Sequence, residues 1–318
     1  MENTNENAKI LEAIEEIEKV IIGKRSEIVI LLTALLSGYH ALVEDVPGTG
    51  KTTLASTLAK VTGLEFRRAQ FTPDVMASDI TGYNIYNRRI EDFEFRSGLV
   101  MCNLLLADEI NRASPKTQSA LLEAMEEGNV TVDGKTYAIK KPFMVIATQN
   151  PSGYVGTYPL PEAQLDRFGV RINMGYPTSA EEVDILKTKL YGQKDTNVKN
   201  VISLEELNEM TAAVSKVLVN DTVLQYIVDL ITSTRKTPDL VLGASPRASV
   251  ALMKLSQAYA FIKGRDYVTP SDVAAIAKFT LSHRLIISQE AKFGGKTIDS
   301  IIAELLRKVA VPYRNTAN

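Results

Sequence analysis

The sequence predicts an α/β fold, with a parallel-sheet core built around a phosphate-binding loop and a C-terminal domain made of helices. The first observation is a short apolar run at 40–43, followed by a glycine-rich loop and then by helical spacing. The second is the continuous apolar run Leu104–Ala107, which ends in two acids, as buried strands do at a ligand crevice. The third is that the apolar patterns after residue 197 have the helical period, and no strand pattern is found there.

Length and composition indicate two globular domains. A chain of 318 residues is long for one hydrophobic core. The polar stretch 192–197 predicts the boundary, which gives a core at 1–192 and a helical lid at 193–318. Hydrophobic residues make up 45% and charged residues 23%, as is ordinary for a globular chain.

Charge and cysteine usage restrict the partners and the compartment. The net charge of −2 and the lack of a basic stripe interleaved with aromatic residues argue against nucleic acid as a partner. The single cysteine, Cys102, cannot build a disulfide framework. The N-terminus is polar and acidic, and the longest apolar run, 28–36, falls short of the ~20 residues that span a bilayer. We therefore expect a cytoplasmic protein without a membrane span.

The glycine-rich loop predicts a phosphate-binding site at the start of a helix. Its backbone N–H groups and the positive end of the helix dipole would face the phosphates. Lys51 would reach the β- and γ-phosphates, and the Thr52 hydroxyl would bind Mg²⁺. Asp45 stands where the strict pattern has a glycine, so an ordinary glycine turn is the alternative. The predicted nucleotide-binding residues are Pro47, Gly48, Thr49, Gly50, Lys51, Thr52 and Thr53.

A second nucleotide contact is predicted between two N-terminal helices. Ile22 and Gly23 lie in the short connection after the first helix, where they could line an adenine pocket. The spacing supports equally a helix–turn–helix unit that only packs against the core.

The two acids after the apolar run predict the chemical centre. Asp108 would hold Mg²⁺, largely through water, and Glu109 would act as the general base on the attacking water. The alternative is a strand that ends in solvated acids. The phosphate-binding loop roughly 55 residues upstream favours the site.

Two further polar residues are candidates for the same site. Asn150 follows the apolar strand pattern 143–148, where its amide could orient the water or contact the γ-phosphate. An Asx turn before Pro151 is the alternative. Arg247 lies in the first turn of a helix that Ser245 would cap. A cation there opposes the helix dipole, so an anionic partner such as a phosphate is expected.

These motifs together resemble the MoxR family of AAA+ ATPases, and the resemblance covers nearly the whole chain. It implies a P-loop NTPase core with a helical lid. The segment 106–168 is its most specific part. The resemblance rests on Val46–Thr52, Gln70–Asp74, Ala107–Ala113, Lys116–Met125, Ala147–Pro151, Tyr158–Phe168 and Gly243–Arg247.

The resemblance implies a role for each candidate residue. Arg247 would act within its own subunit, and Arg167 would act on the nucleotide of a neighbouring subunit. The segments 83–98 and 129–140 resemble the helix-2 insert and the pre-sensor hairpin. The implied roles are Walker A for Lys51 and Thr52, Walker B for Asp108 and Glu109, sensor 1 for Asn150, sensor 2 for Arg247 and arginine finger for Arg167.

The family implies an Mg²⁺-dependent ATP hydrolase that forms a hexameric ring and remodels client proteins. Its partners are often von Willebrand factor A-domain proteins, and its work is chaperone-like maturation or insertion of metal cofactors. Two alternatives stay open from the residues alone. One is a DNA-acting AAA+ helicase or loader, against which the net charge argues. The other is a nucleotide-binding scaffold without hydrolysis, against which the intact pair of acids argues.

Overall fold

The computed structural model describes residues 2–44, 50–149, 157–190 and 198–312. The strands are β1 (Ala41–Glu44), β2 (Phe66–Gln70), β3 (Gly82–Asn87), β4 (Asp92–Ser97), β5 (Leu104–Asp108), β6 (Asn129–Val132), β7 (Lys135–Ala138), β8 (Met144–Gln149), β9 (Val170–Ile172), β10 (Leu240–Leu242) and β11 (Ile286–Ile287). The helices are α1 (Glu2–Glu18), α2 (Arg25–Leu36), α3 (Lys51–Val61), α4 (Ala77–Thr81), α5 (Pro115–Glu127), α6 (Glu162–Leu165), α7 (Ser179–Leu190), α8 (Leu204–Val214), α9 (Asp221–Lys236), α10 (Pro246–Ile262), α11 (Pro270–Leu281), α12 (Gln289–Phe293) and α13 (Ile298–Lys308).

A parallel sheet forms the centre of the core. In the described part of the chain it has five strands in the order β2-β5-β8-β1-β9. The apolar run Leu104–Ala107 lies in the interior strand β5, between β2 and β8. The predicted α/β fold with a parallel sheet is confirmed. Since all these strands run the same way, Glu44, Asp108 and Gln149 end their strands at one edge of the sheet, the carboxyl edge.

Alternate residues of each strand face opposite sides of the sheet, as strand geometry requires. Leu104 and Leu106 of β5 belong to the hydrophobic cluster that also contains residues of α1, α2, α3 and the lid helices. Leu105 and Ala107 pack on the other face with α4 and α5. Both faces of β5 are therefore covered, which explains why its sequence is continuously apolar.

Two hairpins project from the core. The segment β3–β4 matches the predicted insert, and β6–β7 turns at Asp133 and Gly134, which both have positive φ, as type I′ turns require. The hairpins touch each other: the rings of Phe95 and Tyr137 stack with centroids 3.8 Å apart, and Asn84 donates to Asp133 at 2.8 Å. Side-chain contacts therefore join the two hairpins to each other.

The lid is mainly helical, but it also contains a short pair of strands that the helical periodicity of the sequence did not indicate. The strands β10 and β11 pair antiparallel, so the expectation that the region after residue 197 has no strands is wrong. Strands of three and two residues are too short to leave a periodic pattern. The predicted boundary at 192–193 lies outside the described residues. Among the described helices, none is long and apolar enough to cross a bilayer.

The helix caps follow from the sequence. Ser114 caps α5 by accepting from the N–H of Thr117, and Gly128 ends it in the left-handed conformation. Ser245 caps α10 in the same way, by accepting from Ala248. These predicted helix boundaries are confirmed. They determine where α5 and α10 begin beside the candidate site.

Candidate functional site

The described part of the predicted phosphate-binding loop begins at Gly50. Gly50 is the N-cap of α3 and has φ of 85°, a left-handed conformation that glycine adopts without strain. Lys51, Thr52 and Thr53 form the first turn of α3, which carries no acidic side chain. The positive end of this helix dipole is therefore not neutralised by its own first turn. Asp45, Pro47, Gly48 and Thr49 lie outside the described residues.

Asp108 is held from two sides at the end of β5. Its Oδ1 accepts from the Thr148 hydroxyl at 2.7 Å, and its Oδ2 accepts from Arg68 Nη2 at 2.9 Å. Thr148 belongs to β8 and Arg68 to β2, the two strands that flank β5. The sheet order therefore fixes the carboxylate between a hydroxyl and a guanidinium.

Glu109 occupies a strained backbone position directly beyond the strand. Its φ of 57° is uncommon for a residue other than glycine, and such residues often mark functional sites. Its N–H donates to Thr148 Oγ1 at 2.8 Å, so one hydroxyl binds both acids. Its Oε2 accepts from Gln70 Nε2 and from Arg112 Nη1, both at 3.0 Å.

Four residues around these acids were given no role by sequence reasoning: Arg68, Gln70, Arg112 and Thr148. Gln70 and Thr148 sit at the ends of strands, as the acids do, which was an available signal. Arg68 left no such signal, because its partner depends on β2 lying beside β5. All four side chains donate hydrogen bonds to the carboxylates of Asp108 or Glu109, and Thr148 also accepts from the backbone of Glu109.

The donor set fits Mg²⁺ that is bound mainly through a nucleotide. Magnesium in proteins is usually held by one or two carboxylates together with phosphates and water. Asp108 and the Thr52 hydroxyl are the predicted protein ligands. Across the described ranges, no group of three histidine, cysteine or acidic residues could form a cage of its own. A metal here would depend on the bound phosphates.

The turn that carries Ile22 and Gly23 needs a glycine. Gly23 has φ of 73°, and a Cβ built there would lie 1.7 Å from Oε1 of Glu181 at the start of α7. Backbone geometry therefore favours glycine at this position, whereas the Glu181 side chain is flexible and could move away from a Cβ. Whether the turn also contacts an adenine base stays a prediction. Asn150, the other candidate near the phosphates, lies outside the described residues.

Arg167 and Arg247 meet at one carboxylate. Arg167 Nη1 lies 3.1 Å from Glu126 Oε2, and Arg247 Nη2 lies 2.7 Å from Glu126 Oε1. Arg167 also donates to the carbonyl of Leu122 at 2.7 Å. The structure therefore brings together two predicted residues, one from the core and one from the lid, that lie 80 positions apart in sequence.

This arginine pair lies at the amino edge of the sheet, away from the acids. Glu126 is near the end of α5, which begins just after the acids, so it lies about 16 Å along the helix from that start. Its neighbour Met125 accepts from the ring of His40, the residue before β1. A cleft of about 510 Å³ between core and lid is lined by Arg167, Arg247 and Lys254.

Comparison with known proteins agrees with this architecture. Residues 40–170 match the ATPase family associated with various cellular activities, AAA, and residues 232–305 match the AAA lid domain. The chain is 40% identical to the chaperone MoxR1 of Mycobacterium tuberculosis, over 95% of this chain and 82% of the relative. This chain belongs to the MoxR family of AAA+ ATPases.

Two further similar proteins match this chain over nearly its whole length. The uncharacterized protein YeaC of Bacillus subtilis is 50% identical over 96% of this chain and 95% of its own. A crystal structure from Cytophaga hutchinsonii, provisionally assigned as an ATPase, superposes with a TM-score of 0.90 at 38% identity, covering 98% of this chain and 97% of the other. The resemblance seen in the sequence is therefore confirmed at the level of the MoxR family and its fold.

Proposed function

We propose that this MoxR-family chain is an Mg²⁺-dependent ATP hydrolase that works as a hexameric ring, with each nucleotide shared between two subunits. The observation that carries the proposal is the position of Thr148, whose hydroxyl binds the carboxylate of Asp108 and the backbone of Glu109. This arrangement supports the proposed roles, in which Asp108 would hold the metal and Glu109 would act on the water molecule.

In the proposed reaction, water attacks the γ-phosphorus in line with the bond to the leaving oxygen of ADP. Glu109 accepts a proton from that water as the new P–O bond forms and the old one breaks, giving ADP and phosphate. Lys51 would neutralise the β- and γ-phosphates, and Asn150 would orient the water. Mg²⁺ held by Asp108 and Thr52 would supply further charge neutralisation.

We propose that Arg167 and Arg247 both act on the nucleotide of a neighbouring subunit. The sequence favoured action of Arg247 within its own subunit, and its position leads us to revise that expectation. Arg247 shares Glu126 with Arg167 at the amino edge of the sheet, whereas the acids lie at the carboxyl edge. Two guanidiniums at a subunit boundary would stabilise the charge that develops on a transferring phosphoryl group.

The work done by hydrolysis is proposed to be the remodelling or maturation of client proteins. The name of the mycobacterial relative, a chaperone, supports this class of activity. Clients with von Willebrand factor A domains and the insertion of metal cofactors follow from the family resemblance alone. The buried Cys102 thiol supports a reducing compartment such as the cytoplasm.

The deciding experiment measures ATP hydrolysis per subunit against protein concentration. The wild-type rate should rise with concentration as rings assemble, and Arg167→Ala should abolish the rise while ATP still binds. Glu109→Gln should bind ATP without turnover in an assembled ring. Arg307→Ala, which alters an exposed lid arginine on α13, is the matched control. A constant rate from a confirmed monomer, with Arg167 dispensable, would rule out the shared site.

A further inference from the structure

A buried arginine of the lid holds the turn that carries Arg167. Arg284 follows α11, and its side chain is 2% exposed. Its Nε donates to Asp166 Oδ1 at 2.7 Å, and its Nη2 donates to the carbonyls of Asp166 at 3.1 Å and Phe168 at 2.6 Å. Its Nη1 donates to the carbonyl of Gly169 at 3.3 Å. One planar guanidinium therefore binds the backbone on both sides of Arg167.

The same carboxylate reaches the helix that carries Arg247. Asp166 Oδ2 accepts from the Ser245 hydroxyl at 2.8 Å, and Ser245 is the N-cap of α10, two residues before Arg247. Asp166 thus has one oxygen on Arg284 and the other on the start of α10. The neighbours of Arg167 and Arg247, the two arginines proposed above to act on the neighbouring subunit, are therefore tied to a single ion pair between the buried Arg284 and the partly buried Asp166.

Stability alone does not account for this arrangement. A buried ion pair contributes little net stability compared with apolar side chains of the same size, because both charges lose their hydration. A guanidinium supplies a set of directed hydrogen bonds, which an apolar side chain cannot. Four of those made by Arg284 end on the three residues Asp166, Phe168 and Gly169.

We propose that Arg284 is a positioning residue that fixes Arg167 relative to Arg247, so that the two guanidiniums reach the neighbouring subunit's nucleotide as a preset pair. This inference rests on the proposed shared site. The placement of the reacting groups would change if the turn relaxed, and an error of about 1 Å in such groups costs on the order of a hundredfold in rate. The ATP bound by the subunit's own loop would be unaffected.

The test is complementation between two inactive kinds of subunit. Arg284→Gln subunits have intact acids but misplaced arginines. Glu109→Gln subunits lack the general base but have correctly placed arginines. Each kind alone should hydrolyse ATP at least tenfold more slowly than wild type. Misplaced reacting groups cost about a hundredfold in rate, so a tenfold loss is the smallest effect we expect. Mixed one to one before nucleotide is added, they should recover up to about a quarter of the wild-type rate, because random mixing in a ring completes one interface in four.

Two controls separate the possible outcomes. Arg167→Ala mixed with Glu109→Gln tests the shared site itself, and its failure to complement would overturn the proposed function together with this inference. If that pair complements and the Arg284→Gln pair does not, Arg284 is not a positioning residue for the neighbour's site. Arg265→Gln breaks a comparable ion pair with Asp272 within the lid, and it should keep wild-type hydrolysis.

Arg284→Lys is the second variant, which tests the proposal if Arg284→Gln does not fold. Lysine keeps the charge beside Asp166 but cannot reproduce the fork of donors. We expect it to fold, to bind ATP as wild type does and to complement Glu109→Gln. A lysine variant with the wild-type rate on its own would show that the charge suffices and would overturn the proposal.

Discussion

Arg68 donates from Nη2 to Oδ2 of Asp108 at 2.9 Å, on the face of the carboxylate opposite Thr148. Arg68 lies on β2 and Asp108 at the end of β5, and these strands are neighbours in the sheet. The guanidinium therefore places a positive charge at an oxygen that Mg²⁺ would use. Arg68 and a metal ion would compete for the same carboxylate.

Replacement of Arg68 by glutamine should lower the Mg²⁺ concentration needed for nucleotide binding. The Arg68 side chain is 48% exposed, so the ion pair is weak, and the expected shift in the half-saturating Mg²⁺ concentration is about two- to fivefold. The measurement is a Mg²⁺ titration of fluorescent ADP binding, which does not depend on hydrolysis.

The matched control for this titration is Arg96→Gln, because Arg96 lies on the exposed hairpin strand β4 and only approaches Glu94, at 4.0 Å. That variant should leave the titration unchanged. A higher Mg²⁺ requirement in Arg68→Gln would mean that Arg68 supports the metal site and does not compete with it.

Thr148→Val should reduce hydrolysis strongly while it preserves the shape of the side chain. Thr148 is fully buried, and valine would leave the N–H of Glu109 without its acceptor and Oδ1 of Asp108 without its donor. An unsatisfied buried polar group costs about 1–3 kcal/mol, so urea unfolding should show a loss of this size. The turnover number at saturating ATP should fall as well, because Glu109 loses the bond that fixes its strained backbone.

Thr148→Ser is the matched control for the hydroxyl. Serine retains both hydrogen bonds and removes only a methyl group, so most of the turnover should remain. If valine and serine lower the turnover equally, the packing of the methyl group matters and the hydroxyl bridge does not orient Glu109.

Local patterns allowed much of the fold to be predicted from sequence. The apolar run of β5, the Asp133-Gly134 turn and the caps Ser114 and Ser245 each depend on a few adjacent residues. Their physical causes, namely burial on both faces, positive φ and unpaired helix N–H groups, act over a few residues. The structure agrees with the sequence at each of these positions.

Polar contacts between distant segments could not be predicted in the same way. Arg284 lies 118 positions from Asp166, and Arg68 lies 40 positions from Asp108. Each pair depends on the order of strands or on the docking of the lid, which no local pattern encodes. The position of Arg247 illustrates the difference: its place in the first turn of a helix was readable from the sequence, but its contact with Glu126 depends on where the lid packs.

Phe95→Ala should loosen the two hairpins from each other without unfolding the core. The stacked pair of Phe95 and Tyr137 is worth about 0.5–1.5 kcal/mol beyond its buried area. Its loss should raise hydrogen exchange at the backbone amides of both hairpins, β3–β4 and β6–β7, by about threefold to tenfold, since exchange follows the free energy of local opening. Mass spectrometry of exchanging peptides would measure the effect.

Phe93→Ala provides the comparison on the same hairpin. Phe93 is 65% exposed and contacts Tyr86 only edge to face, so exchange in β6 and β7 should stay at the wild-type level. Equal effects of both substitutions on β6 and β7 would show that the stacking does not join the hairpins.

The stability of the protein should fall steeply as the pH drops below neutral, because its two histidines are buried and uncharged. Val145 N–H donates to Nδ1 of His40 at 3.0 Å, so the proton is on Nε2, which donates to the carbonyl of Met125 at 3.1 Å. Burial lowers the pKa of His40 to about 4, and burial together with the nearby Arg284 charge lowers the pKa of His283 well below its usual 6.5.

The sign of the effect follows from the protons taken up on unfolding. Between about pH 6.5 and pH 5 the unfolded chain protonates both imidazoles and the folded chain protonates neither, so acid favours unfolding. The slope of the free energy of unfolding should approach about 2.7 kcal/mol per pH unit near pH 5, where both unfolded imidazoles are nearly fully protonated, since each proton contributes about 1.36. His40→Gln should lower that slope by about 1.4 kcal/mol per pH unit in urea unfolding experiments, whatever its effect at pH 7.5. An unchanged slope would mean that His40 is already charged in the folded protein.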